Sequence, residues 1–224
     1  MNVRIESLLA GARAAGGTTV IIDVFRASSL IVAAFGAGAE RVIPVAELNA
    51  AYELKKRNPL FLLFGERGGL PPEGFDSGNS SPTIARMDLR GKTVILTTSA
   101  GTQGIVSAAG AEEILIGCFL NARAVAEYIV HKQPAEVCLV AMGVAGVEPS
   151  LEDDLCAAYI RSLILGEPAD YEQIVEAIMK HPEAAKFLDE DSPLHNPEDV
   201  HFSLKANAYP LVPRYQEGMV AVQD

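Results

Sequence analysis

Six short, almost unbroken apolar runs separated by segments of helical period constrain this chain more than any other feature. They are TTVIID (18–23), ERVIPV (40–45), PLFLLF (59–64), KTVILTT (92–98), AEEILIG (111–117) and AEVCLVAM (135–142). A strand that is apolar on successive residues has both faces covered, as in a parallel sheet whose crossover helices lie on either side. Segments 28–38, 46–58, about 102–109, 121–132 and 150–166 have the helical period those crossovers need. The expected fold is therefore α/β, a mostly parallel sheet flanked by helices. Beyond about residue 167 this reading finds no more strands. Proline-punctuated, acid-rich helical segments follow, so 1–166 is expected to form the core. Residues 167–224 are expected to form a helical C-terminal extension packed on the same domain.

The balance of residues narrows the partners. Hydrophobic residues make up 49% of the 224, enough for a substantial core, which excludes disorder over the whole length. The formal charge is −11 and no cluster of lysine or arginine stands out, so nucleic acid and anionic membranes are poor partners. The opening MNVRIESLLAGARAAGG is a short apolar patch broken by Glu6 and Arg13, neither a signal peptide nor a membrane span. Cys118, Cys138 and Cys156 are odd in number and lie in apolar surroundings, which reads as free buried thiols and a cytoplasmic location. Apolar helix surface admits a homodimer.

In open α/β sheets ligands bind beyond the carboxyl ends of the strands. Four of the six runs are followed there by polar clusters. After the first stand Asp23, Arg26, Ser28 and Ser29. After the third comes the long loop GERGGLPPEGFDSGNSS (65–81), with Glu66, Arg67, Asp76 and Asn79 and no hydrophobic period. After the fourth comes TTSAGT (97–102), and after the sixth GVAGVEPSLEDD (143–154). Asp23 reads as a turn or helix-cap aspartate, or as a hard oxygen ligand for Mg²⁺. Arg26 reads as a surface ion-pair partner or as a fork for an anion. In TTSAGT the hydroxyls of Thr98 and Ser99 could cap a helix. Its free N–H groups, with Gly101 permitting close approach, could instead receive an anion. Ser150 and Asp153 have the spacing of a capping box, whereas the run Glu152-Asp153-Asp154 repels itself unless a cation or an arginine neutralises it.

Several sharper chemistries fail. There is no P-loop lysine pattern, and CFLNAR (118–123) is a residue too short and lacks the glycines of a cysteine-phosphatase loop. Phe25 occupies the place of the second aspartate in an aspartyl-nucleophile phosphatase. His131, His181, His195 and His201 occur singly, without metal-ligand spacing. What remains is a metal-assisted site for a small, multiply anionic ligand, best suited to phosphoryl transfer to water.

These segments resemble the 2-phosphosulfolactate phosphatases of the coenzyme M pathway, the ComB family. The resemblance rests on DVFRASS (23–29), GERGGLPPEGFDSGNS (65–80), TTSAGT (97–102), NARAVA (121–126) and LEDDLCA (151–157), with an echo in EDVHFSLKANAYPLVP (198–213). It implies a Mg²⁺-dependent hydrolase that converts phosphosulfolactate to sulfolactate and phosphate. It further implies catalytic roles for Asp23, Arg26, Glu66, Arg67 and Asp76, with Glu66 and Asp76 near the metal and Arg67 on the anion. Metal ligation would fall to Asp23 and Asp153, with Glu152 behind them. Substrate contacts would come from Ser28, Ser29, Asn79, Thr98, Ser99, Gly101, Thr102 and Asn121, and turn geometry from Gly68, Gly69 and Gly74. The nucleophile would be a carboxylate-activated water or Asp23 itself. The chain departs from the family pattern at Ser81, where proline is expected, and at Ala100, where asparagine is. The stretch AMGVAGVEPS is also less polar than the family pattern. Those changes bear on substrate identity, leaving open another phosphorylated 2-hydroxy acid or a non-catalytic metabolite binder.

Overall fold

The computed structural model describes residues 1–222 apart from 190, 191, 193 and 195. The chain opens with β1 (Asn2–Ser7) and α1 (Leu8–Ala14). It continues through β2 (Thr18–Ile22), α2 (Ala27–Gly36), β3 (Arg41–Pro44), α3 (Leu48–Arg57) and β4 (Leu62–Gly65). After the long loop come α4 (Ser81–Ala85), β5 (Thr93–Thr97), α5 (Gly101–Ser107), β6 (Glu113–Gly117), α6 (Ala122–Lys132), β7 (Glu136–Ala141) and α7 (Leu151–Leu165). The C-terminal part holds α8 (Tyr171–Lys180), α9 (Pro182–Leu188), α10 (Pro197–Ser203), β8 (Pro213–Gln216) and β9 (Met219–Val222). All six apolar runs are strands, and the α/β fold with its helical C-terminal elements stands.

Strands at both ends of the chain escape the apolar-run rule. β1 does so because Arg4 and Glu6 interrupt it. It is an edge strand whose charges are used locally: Arg4 Nε donates to Glu136 Oε1 on β7 at 2.7 Å and Nη1 to Glu6 Oε1 at 2.6 Å. Charged side chains on an edge discourage pairing with a further chain. The C-terminal stretch corrects the expectation that strands stop near residue 167. β8 and β9 form a hairpin across Glu217 and Gly218, with φ of 51° and 83°, the two left-handed residues of a type I′ turn. The turn pair is Glu-Gly rather than the Asn-Gly or Asp-Gly that usually marks such a turn, so the sequence does not announce it.

That hairpin is structurally central. Among the described residues the sheet has nine strands in the order β1-β7-β2-β6-β8-β9-β3-β5-β4. Among the described residues two parallel blocks, β1-β7-β2-β6 and β3-β5-β4, are joined through the antiparallel β8 and β9. Alternation along each strand sends side chains to two cores. Ile21, Ile114, Ile116, Cys138 and Val140 join the cluster on one face, and Val20, Ile22, Leu115, Val137 and Leu139 the cluster on the other. The second cluster also takes in Ile178 of α8, Ala184 and Phe187 of α9, and Val200 of α10, which seats the C-terminal helices on the sheet.

The helix α2 explains how distant strands come to share a site. Every residue from Ala27 to Ala34 is buried, so this helix is enclosed rather than amphipathic. In a flat sheet β2 and β5, with four strands between them, would stand roughly 24 Å apart. Yet a Cβ on Gly101, four residues past the end of β5, would lie 2.7 Å from Asp23 Oδ2. Four residues reach at most ~14 Å, so the sheet curls, and α2 fills the hollow. Among the described residues no helix is long and apolar enough to cross a membrane. All three cysteines are free and buried, and burial pushes the Cys118 thiol up to about 12, so CFLNAR holds no ready thiolate. His195 lies outside the described residues.

Candidate active site

The curl brings the ends of β2, β4, β5 and β7 and the start of α7 around one cleft of ≈ 240 Å³. Asp23, Glu66, Glu152 and Asp153 line it, with Arg26, Asn79, Thr98 and Ser99. Phe25, Ala100, Val144, Ala145 and Phe187 supply apolar wall. All four carboxylates are buried.

Backbone donors hold Asp23, Asp153 and Glu66. Asp23 Oδ1 accepts the Ala27 N–H at 3.0 Å, and the Gly101 N–H donates to the same carboxylate. Only glycine fits at 101, because a Cβ there would also stand 2.6 Å from the Cβ of Ala27. Asp153 accepts Val24 N–H at Oδ1 (2.7 Å) and Gly143 N–H at Oδ2 (2.8 Å), tying the α7 start to the ends of β2 and β7. Ser150 makes no side-chain cap bond and its buried Oγ has no partner among the described residues. The Ser150–Asp153 capping box therefore does not form; Asp153 is spent on the site. Glu66 accepts Ser99 N–H at Oε1 (2.7 Å), and at Oε2 both Gly69 N–H (2.9 Å) and Ser99 Oγ–H (3.2 Å), joining the loops after β4 and β5.

Crowding of like charge away from water raises the proton affinity of two of these acids. Burial first, then the neighbouring Glu66, lifts Asp23 to about 6 despite the Ala27 N–H. Asp153 is pushed well above the usual carboxylate range by burial, then by Asp23 and Glu152. Such displacement in a cleft marks a functional site. Positive charge within it comes from Arg26, whose Nη1 donates to buried Asp199 at 3.1 Å and whose guanidinium lies 5.5 Å from the Phe187 ring centroid.

The remaining sequence candidates divide. Asn79 lines the cleft with no side-chain partner among the described residues, so its amide is open to a ligand. Thr98 lines it too, while exchanging bonds with Thr102: Thr98 N–H donates to Thr102 Oγ1 at 2.9 Å and Thr102 N–H to Thr98 Oγ1 at 3.2 Å. The TTSAGT helix start is an anion site whose anions are the protein's own, Glu66 at Ser99 and Asp23 at Gly101. Ser28 and Ser29 sit behind the cleft. Ser28 Oγ accepts the Asp23 N–H and donates to Ile21 O, and Ser29 Oγ donates to Val24 O.

Three candidates stand away from it. Arg67 is turned back on the scaffold, donating to Glu66 O (2.7 Å), Ala46 O (2.8 Å) and Thr97 Oγ1 (2.6 Å). Asp76 accepts the Leu63 N–H at 2.8 Å and pairs with Lys55 at 3.1 Å, outside the cleft lining. Asn121 is fully buried, accepting from Cys118 N–H and donating to the carbonyls of Ile116 and Leu211. Gly68, Gly69 and Gly74 take positive φ of 60°, 87° and 77° in the loop turns. Phe25, read in the sequence only as the absence of a second aspartate, and Val144, Ala145, Phe187 and Asp199 were not among the expected site residues. The first four carry no chemistry a motif search weighs, and Asp199 is one acid among many in an acidic stretch.

The donor set fits a hard divalent cation in kind. It is all oxygen, and a cation would offset the burial and the mutual repulsion that raise the proton affinities of Asp23 and Asp153. Among the described residues no three His, Cys, Asp or Glu side chains are arranged to hold a metal ion. Mg²⁺ is commonly held by one or two carboxylates and keeps several waters, so a pair suffices.

The sequence as a whole has relatives. A family model described as 2-phosphosulpholactate phosphatase matches residues 4–218. A protein of Caldanaerobacter subterraneus subsp. tengcongensis named a probable 2-phosphosulfolactate phosphatase is 37% identical over 90% of this chain and 88% of its own length. One of Thermotoga petrophila with the same name is 37% identical over 92% of each chain, and one of Clostridium tetani 33% over 90% of each. The chain belongs to the 2-phosphosulpholactate phosphatase family.

Proposed function

We propose that the chain hydrolyses the phosphate ester of 2-phosphosulfolactate, with Mg²⁺ bound, giving 3-sulfolactate and phosphate as in coenzyme M biosynthesis. The observation that carries this reading is the cleft, with four buried carboxylates, Asp23 and Glu66 past strand ends and Glu152 and Asp153 at the start of α7, beside Arg26, in a chain of this family. Asp23 and Asp153, with Glu152 beside them, would hold the cation, which supplies charge neutralisation for the phosphoryl oxygens. Arg26 and the open amide of Asn79 are the donors for the ester's anionic oxygens. Phe25, Phe187 and Val144 keep bulk water from the reacting centre. The water oxygen bonds to phosphorus as the bond from phosphorus to the ester oxygen breaks; a cleft carboxylate takes the water's proton and passes it on to the departing ester oxygen.

One observation favours a second reading. Arg67 is used up on the scaffold, so one arginine rather than two faces a ligand. That suits a phosphorylated 2-hydroxy acid with fewer negative groups than phosphosulfolactate, taken against the apolar wall. The test is phosphate release from racemic phosphosulfolactate, phospholactate and phosphoglycerate, each with Mg²⁺ and with EDTA. Metal-dependent release selective for the sulfonate supports the first reading, and release from the other esters alone supports the second. No release from any ester overturns both.

A further inference from the structure

The C-terminal arm contributes a buried carboxylate that does not itself line the cleft. Asp199, in the first turn of α10, is 0% exposed. Its Oδ2 accepts from Arg26 Nη1 at 3.1 Å and its Oδ1 from Ser80 Oγ at 2.8 Å, while the Ser81 N–H donates to it as well. One carboxylate thus joins three separate segments: the strand end that carries Arg26, the close of the glycine-rich loop, and the arm. A buried acid–arginine pair is poor evidence of stabilisation, because desolvating both charges offsets most of their attraction. The arrangement calls for another account.

Arg26 supplies it. Its guanidinium is fixed on one edge by Asp199 and on one face by the Phe187 ring. Among the described residues no other group accepts from its side chain, and the residue lines the cleft. Guanidinium nitrogens not bound to Asp199 therefore remain for a ligand. A free arginine side chain has several rotatable bonds and loses much of its rotamer freedom when fixed. Here that ordering is already done before a substrate arrives.

From this geometry we infer that Asp199, carried by the C-terminal arm and clasped by Ser80, is the positioning residue that aims Arg26 at the substrate's anionic group. The inference rests on the phosphatase reading only in requiring an anionic ligand. Phe187 and Asp199, from α9 and α10, thus complete a site whose other groups come from strand ends, the loops after them and the start of α7.

The test measures kcat, KM and the inhibition constant of orthophosphate for the wild type, Asp199→Asn, Ser80→Ala and Glu198→Gln, with thermal melts of each. Glu198 is the control. It is the adjacent acid on α10, and its ion pair with Arg86 is exposed. Asp199→Asn is expected to raise both KM and the phosphate inhibition constant about tenfold with a smaller fall in kcat, the pattern of lost anion binding. Ser80→Ala should move the same two constants about threefold with an unchanged melt, since it removes only the clasp. Glu198→Gln should leave all three constants alone. In an Arg26→Ala background, Asp199→Asn should add nothing further, because a group acting through the arginine has nothing left to act on. Wild-type constants in both Asp199→Asn and Ser80→Ala would overturn the inference. So would an equal fractional loss with and without Arg26. A wild type that releases no phosphate but binds orthophosphate would sink the phosphatase reading alone, and the inhibition constants would then be read as binding constants.

Discussion

The ends of β2 and β4 look alike in sequence and behave differently in the fold. Each apolar strand is followed by an acid and then an arginine, Asp23 with Arg26 and Glu66 with Arg67. Both acids are buried in the cleft and hold backbone donors. The arginines part company. Arg26 comes three residues after its acid, at the entry to α2, where its neighbours are one carboxylate and one aromatic ring, and its remaining donors are open. Arg67 directly follows its acid, beside the tight turn that exchanges bonds between Arg67 and Leu70, and its guanidinium meets two carbonyls and a hydroxyl. An arginine whose reach contains enough acceptors becomes scaffold. One left short of acceptors is available to a ligand.

The largest expected effect is at the acid that both blocks of the sheet converge on. Asp23→Asn should lower kcat by about 10³-fold, the several kcal/mol that a lost charge-bearing ligand costs. Circular dichroism should remain that of the wild type, because Oδ1 of asparagine still accepts the Ala27 N–H. The same pair of proteins, stripped with EDTA, isolates the titration of Asp23. Its folded-state affinity is lifted from 3.8 to about 6, so the folded protein binds the proton more tightly than the unfolded chain. Wild-type stability relative to Asp23→Asn should therefore be lowest above about pH 6 and rise as pH falls toward 3.8. A melting difference that is flat across that window would mean that Asp23 carries no uncompensated charge.

The two arginines offer the direct contrast. Arg26→Ala should reduce kcat/KM by about 10- to 100-fold, mainly through KM, the range expected for losing charge-assisted hydrogen bonds to an anion. Arg67→Ala should leave KM within about twofold and instead lower stability by about 1–3 kcal/mol, since three partly buried acceptors lose their donor. Thermal melts beside steady-state kinetics separate the two. Equal kinetic losses would erase the distinction between scaffold arginine and ligand arginine.

Much of this was legible in the sequence, and for physical reasons. A parallel strand must be apolar on both faces, so β2 through β7 announce themselves, and the residues just past their ends are placed by topology alone. β1 is hidden because an edge strand is free to carry Arg4 and Glu6. The β8–β9 hairpin is hidden because β8, with Arg214, Tyr215 and Gln216 in succession, forms no apolar run. Within the site, a sequence says which residues follow a strand but not how far the sheet curls. Asp199 belongs to the cleft's machinery only because α10 folds back over the loop, a contact 173 residues from Arg26 along the chain. Ser150 and Asp153 satisfy the spacing of a capping box, and tertiary donors from Val24 and Gly143 take the carboxylate instead.

Asp76 carries the comparison into the loop itself, with the smallest effect. It and Glu66 are acids at opposite ends of one glycine-rich segment, yet only Glu66 lines the cleft. Asp76 closes the far end, where its carboxylate accepts the Leu63 N–H and pairs with Lys55 in side chains that are 37% and 28% exposed. An exposed pair of that kind contributes about 0–1 kcal/mol, and the turn bond about 1 kcal/mol more. Asp76→Ala should accordingly lower the melting temperature by about 3 °C and leave kcat and KM within about twofold. If kcat fell instead by the factor expected of Asp23→Asn, the loop would act as one catalytic unit, and the division between its two ends would fail. If nothing changed at all, the Leu63 bond would be replaceable by water, and the loop's shape would rest on Glu66 and the turn at Gly68 and Gly69.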